Sequence, residues 1–186
     1  YETDSTWSYL AASESRFRPL TLAASDVPEE LRGRVPAGLR YWFMGGTLHF
    51  RPEGKHAPFA GEGTLEMRDM RARLADMDRM GVDVQVIFST MFLLLVLPDP
   101  EWQMAMARAY NRWMAERCAE AKGRLRWIFV PSLKNPAETV RDMEWAVRHG
   151  AVGVLFRGIE GDRFIDISDD GELVLSGAGD ADAVSL

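Results

Sequence analysis

Residues 64–88 read TLEMRDMRARLADMDRMGVDVQVIF, and this stretch decides the fold. Met67, Met70, Leu74 and Met77 recur three and four positions apart, the spacing of one helical face, so a helix is predicted over Thr64 to Met80. Gly81 stands where a C-cap glycine belongs. Val82 to Phe88 then forms a run rich in β-branched residues, which reads as a strand.

The same pattern repeats toward the C-terminus. Asp99-Pro100-Glu101 supplies an N-cap, a proline at the first helical position and an acid in the first turn. The helix it opens is expected to run to about Lys122, with Trp102, Met106, Tyr110, Trp113 and the stem of Arg117 on one stripe. Trp127 to Val130 is a short apolar strand stopped by Pro131. Asn135-Pro136-Ala137-Glu138 opens another helix, whose expected buried stripe is Val140, Met143 and Val147 and whose end is His149-Gly150. Val152 to Phe156 is the next strand. Helices alternating with near-continuous apolar strands imply right-handed βαβ units and a parallel sheet covered on both faces.

The flanks differ. Glu2 to Ser5 reads as the end of an initial strand. Residues 7–63 then read as an insertion that contains a β-hairpin at Tyr41 to Phe50, turning on Gly45-Gly46. After Phe164 the sequence becomes acidic and then small, so residues 165–186 are expected to be a divergent, irregular tail with no further strand.

Bulk properties narrow the function. The net charge is −6, which leaves no basic excess to neutralise phosphates and argues against nucleic-acid binding. The longest apolar run, Met91 to Leu97, is far short of the roughly 20 residues a membrane helix needs. A single cysteine, Cys118, excludes an internal disulfide and a cysteine-based metal cluster. With no signal peptide visible, a cytoplasmic setting is expected.

Two stretches carry a resemblance. One is Met67 to Val86. The other combines Ala109-Tyr110-Asn111-Arg112-Trp113-Met114-Ala115-Glu116 with Gly123-Arg124-Leu125, Val130-Pro131 and Gly150-Ala151-Val152-Gly153-Val154. Together they resemble the amidohydrolase-related family, the group of aminocarboxymuconate-semialdehyde decarboxylase and related aromatic-acid decarboxylases. The resemblance covers residues 64–164 and, more loosely, the start of the chain. It implies an α/β fold, a TIM (β/α)8 barrel with chemistry at the C-terminal ends of its strands. A whole barrel takes about 250 residues, so the 186 here are expected to give a partial barrel: the first four βα units, with the hairpin insertion after strand 1.

The resemblance also implies a divalent metal, most often zinc, that activates water for hydrolysis or holds a carboxylated substrate for decarboxylation. Its strand-one motif falls on Asp4-Ser5-Thr6. Asp4 can act as an acid ligand. Thr6 stands where the family carries a histidine, and a neutral hydroxyl is a much weaker zinc donor than imidazole. The family's later histidine and aspartate ligands have no counterpart, so zinc is expected in the parent enzyme and not to be retained by this chain.

Ser89 and Thr90 end one strand and Arg157 ends another, where barrel enzymes place substrate-contacting groups; Arg157 could grip a substrate carboxylate, and a surface salt bridge is the plainer alternative. Met91 to Leu97 follows the same strand and reads equally as pocket lining, core filler or a dimer contact. His49 reads as a half-exposed strand residue, His56 as a solvated loop residue and His149 as a helix C-terminal cation; the three share no metal-ligand spacing. Cys118, among Ala115, Ala119 and Ala121, reads as packing rather than as a nucleophile.

The expected parent is a metal-dependent hydrolase or decarboxylase of a small carboxylated or aromatic compound, with this chain an inactive fragment of it. The alternative is a degenerate, non-catalytic relative serving as a binding or assembly module. In either case an open strand edge favours a homo-oligomer.

Overall fold

A computed structural model describes residues 2–14, 16–27, 29, 40–45, 47–51, 64, 67–94, 97, 99–157, 159–160, 163–167, 173–177 and 184–185. The fold is mixed α/β, with three small sheets and no closed barrel among the described residues.

The centre is a parallel sheet of β4 (Gln85–Ile87), β5 (Leu125–Phe129) and β6 (Ala151–Val154), side by side in chain order. Ile87 lies opposite Trp127, and Trp127 opposite Ala151. The ladder slips between Trp127 and Ile128, so Ile128 faces Gly153 and Val152 is the extra, bulged residue, 52% exposed. A Cβ at Gly153 would lie 2.9 Å from Ile128 Cδ1, close enough that the Ile128 side-chain tip would have to shift.

The predicted helices are present with shifted ends. α2 spans Met70–Met80 rather than starting at Thr64, because the Asp69 carboxylate caps it by accepting from the amides of Arg71 and Ala72. Its end is a Schellman closure: Gly81 adopts φ 67°, and Val82 N–H reaches Met77 C=O at 2.9 Å. A short helix, α3 (Met91–Leu94), follows β4. α4 runs Pro100–Glu120 behind its Asp99 cap, and α5 runs Pro136–Arg148 behind Asn135.

α4 is the hub. Gln103, Ala105, Met106, Ala107, Ala109, Tyr110, Asn111, Trp113, Met114, Ala115 and Cys118 are all buried, which leaves little of its circumference to solvent. The sheet covers one side through Leu125, Trp127 and Phe129. The other side is covered by α1, Glu2–Ser13. Glu2 to Ser5, expected to end a strand, therefore begins a helix. The reason lies just beyond it: Trp7 and Leu10, one helical turn apart, are both buried, and the Tyr9 hydroxyl donates to Glu116 of α4 at 2.7 Å. The described parallel sheet consequently has three strands, not four.

The hairpin is present as β2 (Arg40–Met44) and β3 (Thr47–Arg51), and β1 (Leu20–Ala23) adds an unforeseen third strand to it. Gly45 turns it at φ 54°, with its Cα side against the Trp102 ring; Gly46 lies outside the described residues. Trp42 of β2 meets Trp7 edge to face at 5.8 Å, and Phe17 meets Trp102 at 5.2 Å. These aromatic contacts join the antiparallel sheet and α1 to the start of α4.

Two further expectations are corrected. Residues 165–186 are not simply irregular: β7 (Ile159–Glu160), β8 (Arg163–Ile167), β9 (Leu173–Gly177) and β10 (Val184–Ser185) form an antiparallel sheet. Short apolar runs, Phe164 and Ile165 with Ile167, then Leu173, Val174 and Leu175, supply the β-propensity that the surrounding acids mask. On α5 only Met143 of the expected stripe of Val140, Met143 and Val147 packs against the core. Val140 is 51% and Val147 66% exposed, while Thr139 and Ala146 are buried. Arg108 of α4 pairs with Glu138 and, at 2.7 Å, with Asp142, so the ion pairs and the buried Thr139 and Ala146 mark the side of α5 that meets the rest of the fold.

Asn111 locks α4 to the sheet. Its amide nitrogen donates to Val130 C=O at 2.8 Å and its oxygen accepts from Val130 N–H at 2.9 Å, both buried. It acts as a substitute strand partner where β5 has just ended. Asn111→Leu strands both backbone groups and is expected to cost about 2–6 kcal/mol, at roughly 1–3 per unsatisfied group; urea unfolding checks this, and a loss near zero would refute the lock. On α5, Ala146→Asp is expected to unfold the protein, whereas Val147→Lys should change stability by less than about 0.5 kcal/mol. Equal losses at both positions would restore the stripe read from the sequence.

Candidate functional site

The C-terminal ends of β4, β5 and β6 open on one cleft. It is lined by Phe92 and Leu97 from the segment after β4, by Met106 and Ala107 of α4, by Val130, Pro131 and Leu133 after β5, and by Leu155, Phe156 and Arg157 after β6, with buried Gln103 at its edge. The parallel register puts these ends at one level, and Leu155 N–H donating to Phe129 C=O at 2.8 Å carries the β5–β6 pairing up to the rim. The lining is apolar apart from Arg157 and Gln103. It is a shallow opening between strand ends rather than an enclosed chamber.

Arg157 is half-buried, and its Nη1 lies 3.4 Å from Phe92 C=O, a contact at the long limit for a hydrogen bond. Of the candidate substrate-contacting residues, it alone lines the cleft. Ser89 is buried and absent from the lining, and Thr90 is exposed, where its carbonyl accepts from Leu93 N–H to start α3. The Met91 to Leu97 run divides: Phe92 and Leu97 line the cleft, Phe92 also packing on Tyr110 at 5.1 Å, while Leu93 is exposed. Leu95 and Val96 lie outside the described residues, as do His56 and the loop that carries it. The pocket-lining reading of the Met91 to Leu97 run holds for Phe92 and Leu97, whereas Met106 and Leu133 were not singled out as ligand contacts in the sequence. Met106 sits on the stripe of α4 that reads as core, and only the third dimension turns its end toward the rim.

The expected metal ligands do not gather here. Asp4 and Thr6 ride on α1 rather than at the end of a parallel strand, and their side chains lie outside the described residues. Among the described residues no three His, Cys, Asp or Glu side chains converge to hold an ion. A catalytic zinc takes three protein ligands, and the described residues that line the cleft supply no such set.

The remaining candidates have structural roles. His149 caps α5, with Nδ1 2.7 Å from Trp145 C=O and its ring stacked 4.1 Å from that of Trp145. Its carbonyl accepts from the buried Trp127 indole at 3.2 Å, which ties the end of α5 to the middle of β5. His49 faces Trp42 across the hairpin, and burial lowers its pKa below the ordinary 6.5. Burial pushes the Cys118 thiol up to about 12, against a smaller opposing pull from Arg73. A thiol so rarely ionised is a poor nucleophile. No helix among the described residues is long and apolar enough to cross a membrane. No protein-family model matches the chain, and no curated protein does.

Two measurements follow. Cys118 should resist Ellman's reagent at pH 8 in the folded protein and react fully in urea; fast labelling without denaturant would contradict its burial. For His49, the unfolded chain takes up a proton that the folded chain resists. Stability is therefore full above the free value of 6.5 and declines as pH falls below it. A His49→Gln variant should lose less melting temperature between pH 7.5 and pH 5 than the wild type, and parallel curves would show that His49 is not the group responsible.

Proposed function

We propose that this chain forms part of a (β/α)8-type enzyme similar to the amidohydrolase-related family, a metal-dependent hydrolase or decarboxylase of small carboxylated or aromatic compounds. Its share of the site is the ligand-gripping wall at the ends of β4, β5 and β6. The observation that carries this reading is a single guanidinium, Arg157, at the rim of an otherwise mostly apolar cleft on the side of the sheet where such barrels do their chemistry. Apolar walls beside one cation suit a ligand that carries a carboxylate on an apolar body, with the carboxylate paired to the guanidinium. The sheet topology supports it too. Parallel strands adjacent in chain order, each pair separated by a helix, are the arrangement within a barrel wall.

What these residues do themselves is bind and orient. Arg157 neutralises and aims a carboxylate, while Phe92, Leu133 and Leu155 keep water from the apolar part of the ligand. A second reading, a non-catalytic binding or assembly module, is favoured by the opposite face of the same sheet, where Val84, Val86 and Phe88 are each more than half exposed.

Titration with benzoate, followed by tryptophan fluorescence and amide chemical shifts, tests the first reading. Binding that perturbs the rim and weakens about tenfold or more in Arg157→Met is expected, since a charge-assisted hydrogen bond contributes about 1.5–3 kcal/mol. Unchanged benzoate affinity in that variant, or no binding at millimolar concentrations, would overturn it.

A further inference from the structure

We draw no further inference here: the strongest candidate, the exposed apolar face of the parallel sheet formed by Val84, Val86, Phe88, Val152 and Phe156, is an unpartnered surface, and nothing in the structure shows what covers it.

Discussion

A helix that must be covered on nearly every side governs this molecule. α4 buries Met106, Met114, Asn111, Ala115, Ala105 and Ala109 around its circumference, so a sheet along one flank cannot satisfy it alone. α1 and the aromatic end of the antiparallel sheet supply the second cover, with Trp7, Leu10, Phe17 and Trp42 all buried. Enclosure then imposes a polar constraint. Asn111 is as deeply buried as its apolar neighbours, and the two backbone groups of Val130 satisfy its amide. The same pairing sets where β5 stops, and so where Pro131 and Leu133 enter the cleft.

Elements whose signals are local were legible in the sequence. The caps at Asp99 and Asn135, each followed by proline, and the glycine after Met80 mark helix ends by chemistry that needs no distant partner. The hairpin was legible for the same reason, through its glycine turn between aromatic runs. Illegible were the features decided between elements. Nothing in Val140, Met143 and Val147 reveals that Glu138 and Asp142 meet Arg108 of α4 while the two valines face out. Likewise, Glu2 to Ser5 has no strong preference of its own, and its helix depends on α4 lying beneath Trp7 and Leu10.

The cleft divides along the same line. That Arg157 follows a strand end is visible in the sequence; that it shares a rim with Phe92, Met106 and Leu133 depends on the register of β4, β5 and β6. Ser89 shows the converse. It sits at the proper end of its strand yet is buried away from the opening. A position at a strand terminus gives a level in the fold, and the side chain's direction within that level is a separate matter. The metal ligands implied by the resemblance rested on a first strand that is a helix here, so the inference was lost at the level of secondary structure, before any coordination geometry arose.

The chain-order pairing of β4, β5 and β6 bears on how the protein is made. Each parallel strand joins the one that precedes it, with a helix in between that packs as the pair closes. No strand of this sheet waits for a partner from the far end of the chain. A nascent polypeptide can therefore add one unit after another as it leaves the ribosome, in the order of synthesis. Loop closure stays local at each addition, which favours rapid folding over the slow search that distant strand pairing demands.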